Sequence, residues 1–245
     1  MIIRVFPSPD AAGRAAARGL ADAIREMPAL VLGLPTGRTP VPTYAELVRL
    51  YEAGVVDFSR VRTFNLDEFA GLTASHPGSF RHFMHHHLFR GINLHMSNVE
   101  FLDGMAANLD AECERYETAI ERAGGIDVQV LGLGANGHLG FNEPGETLTA
   151  RTHRVQLHEV TRRENAALFG GDQAAVPLEA LSMGMGTIFK ARTILLLATG
   201  RRKAACVERT VHGPLTTQLP ASFLQTHRDV EIYLDRDAAA MLVKS

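Results

Sequence analysis

The sequence predicts an α/β fold in which helices cover both faces of an open, mainly parallel sheet. Short, strongly apolar segments alternate along the chain with longer segments in which apolar residues recur every three or four positions. Most of the short segments are too apolar to leave one face in water, as expected for buried parallel strands. With 245 residues, 46% of them hydrophobic, the chain is long enough to bury a large core. Strands that alternate with helices in this way favour a Rossmann-like sheet.

Six strands and six helices are predicted in alternation. The strands are residues 2–6, 29–34, 61–65, 128–133, 193–198 and 230–234, and the helices are residues 8–27, 41–53, 79–89, 108–123, 202–211 and 236–243. Ser8 precedes Pro9 and is a predicted N-cap, because proline is tolerated at the first helical position. The third strand ends abruptly in LDEFAGL, where charge replaces apolar residues. Such strand ends matter, since open α/β sheets bind ligands beyond the carboxyl ends of their strands.

The whole chain, residues 1–245, is predicted to form a single domain. It contains no low-complexity linker, internal repeat or block of charge that would divide it. Residues 146–176 are the least regular and most polar stretch, and we expect them to form a mobile flap.

The composition argues against several classes of partner. With 25 Lys+Arg and 27 Asp+Glu, the net charge of −2 gives no electrostatic footprint for nucleic acid or an anionic membrane. The longest apolar runs, such as residues 194–198, are far shorter than the roughly 20 residues of a membrane span. The N-terminus lacks the apolar core of a secretory signal, and Cys113 and Cys206 form no zinc or CxxC pattern. A cytoplasmic protein with buried thiols is expected.

A candidate phosphate loop follows the second strand, in the sequence LGLPTGRTP. Gly37 frees the backbone, Thr36 and Thr39 offer hydroxyls, and the following helix presents unpaired N–H groups. A tight strand-to-helix turn capped by threonine would explain the same residues.

Adjacent carboxylates follow the third strand, in the sequence FNLDEF. Solvated loop acids are common, but Asp67 stands at the carboxyl edge of the predicted sheet and can share a crevice with the Thr36–Thr39 loop.

The fourth strand leads into the most unusual segment, LGLGANGHLGFNEP. Its glycines surround Asn136, His138 and Glu143, and no helical pattern follows, which argues against a dinucleotide site. A histidine between glycines, with a carboxylate five residues later, favours an acid/base group oriented by a second side chain. A structural histidine held by hydrogen bonds is the alternative.

Two further groups of polar residues need an interpretation. Lys203 follows the fifth strand and a glycine turn, where it can meet an anion or remain solvated. The run of three histidines at residues 85–87 lies in an amphipathic helical segment, so its side chains diverge and no metal site is predicted.

Four motifs, in their order and spacing, resemble the glucosamine-6-phosphate deaminase family: PTGRTP, FNLDEF, GLGANGHLGFNEP and ATGRRKA. The similarity runs from Arg4 to about Leu234 and includes HPGSFRHFM and MGMGTI. The glutamate of FNEP is specific, because the related 6-phosphogluconolactonases share the glycine-rich turn but lack it. The resemblance implies conversion of glucosamine 6-phosphate and water to fructose 6-phosphate and ammonium, without a cofactor.

Roles for individual residues follow from the resemblance. Asp67 would move a proton between C2 and C1, and His138 would open the pyranose ring, oriented by Asn136 and Glu143. The phosphate would lie on the loop residues and the lysine, which are Thr36, Gly37, Thr39 and Lys203.

The chain departs from the family pattern at three positions. Many members have aspartate where this chain has Asn136. The flap usually carries an arginine that grips the phosphate, and Ala167 holds that place here; Arg38 stands where members usually have serine or glycine. We therefore expect Arg38 to take over part of the phosphate contact. The alternatives are that Arg162 or Arg163 reaches in from the flap, or that Lys203 acts alone.

Two other functions are weighed against the deaminase. A lactonase-like hydrolase would use the histidine as a base on water, but Asp67 and Glu143 argue against it. A sugar-phosphate sensor, similar in fold to the effector domains of some bacterial regulators, would carry a DNA-binding segment, whereas this chain starts directly with the first strand. The expected partner is a phosphorylated amino sugar, with a homo-oligomer left open.

Overall fold

Ten strands lie within residues 1–242, which are the residues that the computed structural model describes. They are β1 (Ile2–Phe6), β2 (Val31–Leu34), β3 (Arg62–Asn65), β4 (Asp67–Phe69), β5 (Val99–Glu100), β6 (Val128–Gly132), β7 (His153–Gln156), β8 (Glu179–Ser182), β9 (Thr193–Ala198) and β10 (Val230–Asp235). Seven of them form one sheet in the order β1-β10-β9-β6-β2-β3-β5, and every pairing in that sheet is parallel. The predicted parallel α/β sheet is therefore confirmed.

The helices of the described residues are α1 (Pro9–Glu26), α2 (Val41–Glu52), α3 (Phe80–His87), α4 (Leu109–Arg122), α5 (Glu159–Asn165), α6 (Met185–Phe189) and α7 (Ala204–His212). The predicted cap of α1 is confirmed, since the hydroxyl of Ser8 accepts a hydrogen bond from the Ala11 N–H at 3.2 Å. None of these helices is long and apolar enough to cross a membrane.

The predicted last helix, residues 236–243, is wrong. Residues 236–242 form turns, and Val243 lies outside the described residues. The carboxylate of Asp235 accepts hydrogen bonds from the N–H groups of Gly200 and Ala238, which holds the chain in a turn beside β9. Beyond it, Leu242 bonds back only three residues, to the carbonyl of Ala239, so no α-helix propagates.

Two hydrophobic cores cover opposite faces of the large sheet. Along β9, Leu195 and Leu197 belong to the core shared with α1 and α2, whereas Leu196 belongs to the core shared with α4 and α7. This alternation follows from the two-residue period of a strand. It explains why residues 194–198 of β9 are all apolar. Only β1, at the sheet edge, is largely exposed.

A second, antiparallel sheet was not predicted from the sequence. It has the order β4-β8-β7, and Asp67 on β4 is paired with Ser182 on β8. Its strand β7, together with α5, gives the 146–176 segment more regular structure than its polar sequence indicates.

The chain reverses its direction of travel across the large sheet between β2 and β6. From β2 it proceeds outward to β3 and β5, whereas from β6 it proceeds the other way to β9 and β10. Such a switch point is where open α/β sheets hold ligands. The carboxyl ends of β3, β2, β6 and β9 are neighbours there, within roughly 15 Å at about 4.8 Å per strand.

Candidate active site

The loop after β2 begins at the carboxyl end of that strand, next to this switch point. Its start is fixed by two buried side chains: the Tyr44 hydroxyl donates to the Pro35 carbonyl, and the Asn65 amide donates to the Leu34 carbonyl at 3.1 Å. The next residues are free of such restraint. Gly37 has φ = +93° and Arg38 is exposed, so the loop presents backbone to solvent at the beginning of α2.

Asp67 stands on β4, directly beyond the carboxyl end of β3. Its side chain is buried, with the residue only 7% exposed, yet no described residue donates a hydrogen bond to its carboxylate. Burial, together with the nearby charge of Glu68, raises the pKa of Asp67 to about 8. The pKa of the Asp67 carboxyl therefore lies close to neutral pH.

Glu68, the neighbouring acid, has a structural role, because its carboxylate is occupied by hydrogen bonds. Its carboxylate accepts hydrogen bonds from the Ser79 hydroxyl at 2.9 Å and from the backbone N–H groups of Phe69, Phe80 and Arg81. These contacts anchor the start of α3 to β4. The two adjacent carboxylates thus have separate surroundings, and only Asp67 remains available for chemistry.

The glycine-rich segment after β6 folds back on itself around His138. A Cβ atom at Gly134 would lie 2.4 Å from the histidine ring, so only glycine fits there. Gly137 has φ = +92°, which closes the turn. The predicted absence of a helix directly after these glycines is confirmed.

Asn136 determines which nitrogen of His138 is free. A carboxylate can only accept, so the Asn136 amide nitrogen, 2.7 Å from Glu143 Oε2, must donate to it. The Asn136 carbonyl oxygen then faces His138 Nδ1 at 2.7 Å and requires a proton on that atom. The lone pair of the ring is consequently on Nε2.

Glu143, Asn136 and His138 form a chain of hydrogen-bonded side chains, which we call the relay. Its Oε2 atom lies 3.4 Å from His138 Nδ1, and its side chain is 8% exposed. Burial by itself would raise the pKa of Glu143, but His138, Thr161 and Asn136 together lower it to about 2. Glu143 is therefore a carboxylate at neutral pH, next to the histidine ring.

The glycine-rich loop and Asp67 lie against each other. A Cβ atom at Gly140 would lie 3.5 Å from Asp67 Oδ2 and 3.1 Å from Ser182 Oγ. Ser182 also accepts a hydrogen bond from the Phe141 N–H at 3.1 Å, which ties the glycine-rich loop to the small sheet. The loop that carries His138 and Glu143 therefore packs against the small sheet that carries Asp67.

Lys203 approaches the crevice from the carboxyl end of β9. Its ammonium is half-buried, and burial lowers its pKa despite the charge of Glu164. Cys206 of α7 contacts the Gly134 carbonyl at 3.6 Å, so the helix that follows the lysine packs on the glycine-rich loop. Both cysteines are buried, as predicted.

The arginines near the proposed phosphate position differ in their engagement. The Arg162 guanidinium donates to the carbonyls of Val176 and Gln173, within its own segment. Arg163 and Ala167 are exposed. Arg38 forms no ion pair with any described residue, which leaves its guanidinium free.

The sequence interpretation missed Thr161. Its hydroxyl, on α5, donates to Glu143 Oε1 at 2.5 Å. The only signal was its place in the stretch TRRENAALF, because the contact depends on how α5 docks.

Within residues 1–242, no cluster of three or more His, Cys, Asp or Glu side chains is arranged to hold a metal ion.

Comparisons with known proteins show which family the chain resembles. The sequence profile of the family described as glucosamine-6-phosphate isomerases/6-phosphogluconolactonase matches residues 8–233. Glucosamine-6-phosphate deaminase 2 of Bacillus subtilis (strain 168) is 51% identical over 213 residues, which cover 86% of each chain. Glucosamine-6-phosphate deaminase of Thermoanaerobacter sp. (strain X514) is 48% identical over 219 residues, covering 89% of this chain and 86% of the relative.

Solved structures give the same picture. A monomeric glucosamine-6-phosphate deaminase superposes with a TM-score of 0.95 at 41% identity, covering 98% of this chain and 100% of the other. The 6-phosphogluconolactonase of Trypanosoma cruzi has a TM-score of 0.78 at 21% identity over 99% of this chain and 97% of that one, which is a likeness of fold alone.

Proposed function

The chain belongs to the glucosamine-6-phosphate isomerase/6-phosphogluconolactonase family, and on that premise we propose that it converts glucosamine 6-phosphate and water to fructose 6-phosphate and ammonium. One observation carries the proposal: a buried Asp67, to which no described residue donates a hydrogen bond, lies against the glycine-rich loop that carries the oriented His138–Glu143 pair. The identity to named deaminases supports the same reaction.

The sugar phosphate would be held by the loop after β2 and by Lys203. The backbone N–H groups of Gly37 and Thr39 precede α2, which begins at Val41, and the dipole of that helix favours an anion near its beginning. A phosphate fixed there supplies binding energy that positions the reacting end of the sugar.

His138 would open the ring. Because the Asn136 carbonyl accepts the hydrogen bond from Nδ1–H, Nε2 carries the lone pair of the ring. Nε2 can then take the proton of the O1 hydroxyl and return it to O5 as the C1–O5 bond breaks. The resulting imidazolium would be stabilised between these steps by the charge of Glu143. The product is the open-chain aldehyde, with no net gain or loss of protons.

Asp67 would then carry out the isomerisation. As a carboxylate it removes the proton from C2 and, as the acid so formed, delivers it to C1, while a proton of the C2 amino group moves to O1; this leaves a hydroxyl at C1 and an imine at C2. Water adds to that carbon and ammonia leaves, taking up a proton at neutral pH. A single flexible carboxyl reaches both carbons, so no second base is needed.

Two features of the protein as a whole remain proposals. Residues 146–176 would act as a flap over the crevice, since α5 reaches the relay through Thr161. The buried, unpaired cysteines support a reducing compartment such as the cytoplasm.

The deciding experiment measures ammonium and fructose 6-phosphate release from a panel of 6-phosphorylated amino sugars and lactones. We expect turnover of glucosamine 6-phosphate, together with exchange of its C2 hydrogen in deuterated water. Hydrolysis of 6-phosphogluconolactone without ammonium release from any amino sugar would instead identify a lactonase. Binding of sugar phosphates without any turnover would identify a sensor.

A further inference from the structure

Thr161 joins α5 to the carboxylate that orients the histidine. Its residue is 4% exposed, and its hydroxyl donates to Glu143 Oε1 at 2.5 Å. The other oxygen of the same carboxylate, Oε2, accepts from Asn136 and faces His138. The two oxygens are therefore fixed from opposite sides, one by the glycine-rich loop and one by the 146–176 segment.

The hydroxyl has a specific mechanical consequence for Glu143. A carboxylate held at one oxygen can still rotate about its Cγ–Cδ bond, because that terminal torsion is broad. A second donor on Oε1 removes this freedom and keeps Oε2 directed at His138 Nδ1. Without the hydroxyl, Oε1 would be a largely buried acceptor with no donor among the described residues.

The position of α5 is set by contacts that do not involve the relay. Arg162 binds carbonyls of its own segment, and Phe169 packs edge-to-face on Phe69 with ring centroids 5.5 Å apart. Phe69 belongs to β4, two residues from Asp67. The hydrogen bond from Thr161 to Glu143 therefore depends on how this segment docks against the relay.

We propose that Thr161 is a positioning residue, which makes ring opening by His138 depend on the docking of α5 through the hydrogen bond to Glu143. The inference rests on the proposed function, because ring opening is the step it serves. It predicts an effect on turnover rather than on phosphate binding, since the loop after β2 is untouched.

The test compares Thr161→Val, which keeps the shape and removes the hydroxyl, with Thr161→Ser, which keeps the hydroxyl. We expect Thr161→Val to lower kcat on closed-ring glucosamine 6-phosphate by about tenfold or more, with KM within about threefold, and Thr161→Ser to retain most of the activity. An analogue that cannot cyclise should be processed almost equally by all three proteins. If Thr161→Val does not fold, Thr161→Ala serves the same comparison.

A matched control is available at the opposite end of the sheet. Thr193 begins β9, and its hydroxyl donates to Asp229 Oδ2 at 2.6 Å. Thr193→Val therefore removes a threonine–carboxylate hydrogen bond far from the crevice and should leave kcat unchanged.

A double-mutant cycle with Glu143→Gln separates positioning from general structure. If Thr161 acts through Glu143, Thr161→Val should cost no further activity in that background. The ¹⁵N resonance of His138 Nδ1 should shift in Thr161→Val and return in Thr161→Ser. Additive losses, an unshifted resonance, or equal losses on the analogue that cannot cyclise would overturn the inference. An inactive wild-type protein would instead reject the proposed function.

Discussion

Replacing Asp67 by asparagine should abolish most activity and, at the same time, make the protein more stable. Asparagine has nearly the same size but carries no charge, so it removes the cost of burying a carboxylate that no described residue hydrogen-bonds. A purely structural acid would show the reverse, because its loss would leave donors without an acceptor.

The size of the gain depends on pH, and its sign follows from proton linkage. Asp67 has a pKa of about 8 in the folded protein and about 3.9 when unfolded, so the folded state holds the proton more tightly. Below about pH 4, Asp67 is protonated in both states and its ionisation does not change the stability of the wild type. As the pH rises from there towards 8, the wild type loses stability. At about 1.4 kcal/mol per pH unit, the advantage of Asp67→Asn has an upper limit of about 4 kcal/mol at pH 7.

The assay is urea unfolding of both proteins at half-unit steps from pH 5 to pH 9, together with turnover and C2-hydrogen exchange. We expect the difference in unfolding free energy to grow with pH and to level off above about pH 8, while turnover falls about 10²- to 10⁴-fold. A difference that does not change with pH would refute the assigned ionisation, and exchange at the wild-type rate would refute the role as base.

Glu68→Gln is the matched control for this prediction. Its carboxylate accepts four hydrogen bonds around the start of α3, and an amide nitrogen cannot accept in the same places. We expect the free energy of unfolding to fall by about 1–3 kcal/mol, opposite in sign to the change in Asp67→Asn.

Three further predictions concern the same crevice. The kcat/KM of the wild type should rise as the pH rises through about 8, because Asp67 must ionise to act as a base; a pH-independent profile between 6 and 9 would exclude it. Arg38→Ser should raise KM for the phosphorylated substrate about tenfold and weaken inhibition by free phosphate, and Ala167→Arg in that background should recover part of the loss; unchanged values would show that Arg38 makes no phosphate contact. Asn136→Asp adds a carboxylate beside His138, which favours the charged imidazole, and should shift the pH profile of turnover; an unchanged profile would mean that residue 136 only shapes the turn.

The central sheet could be predicted because most of its strands are buried on both faces. The predicted strand at residues 193–198 coincides with β9, and β2 begins only two residues inside the predicted range 29–34. A chain that alternates fully apolar strands with amphipathic helices has few other ways to cover both kinds of surface. The order of the strands, and hence the switch point, does not follow from these local patterns.

The small sheet could not be predicted because its first strand has no strand-like sequence. β4 is only three residues long, and two of them are the carboxylates Asp67 and Glu68. Its partners on β8 lie more than 100 residues later in the chain, where Asp67 pairs with Ser182. What makes these residues a strand is the docking of the 146–182 region, which only the folded chain brings about.

The strand-end positions of the candidate residues followed from the sequence, but the distinction between them did not. Asp67 and Glu68 are equivalent in a sequence pattern, and their different surroundings arise because α3 begins beside Glu68. Thr161 reaches Glu143 only because α5 packs over the glycine-rich loop. Hydrogen bonds that cross between separate elements determine the electrostatics of the site, and these bonds carry no local signal.

The environment of Asp67 also explains why one fold can serve two kinds of chemistry. Lactone hydrolysis requires one general base that activates water, and an oriented histidine is sufficient for that step. Moving a proton between two carbon atoms asks for a group that both takes and returns it, so its pKa must lie near the working pH. An ordinary solvated aspartate is too weak a base, whereas burial without donors brings Asp67 to about 8. We propose that the stability which this burial costs marks the base of the isomerisation, whereas the surrounding donors hold Glu143 ionised.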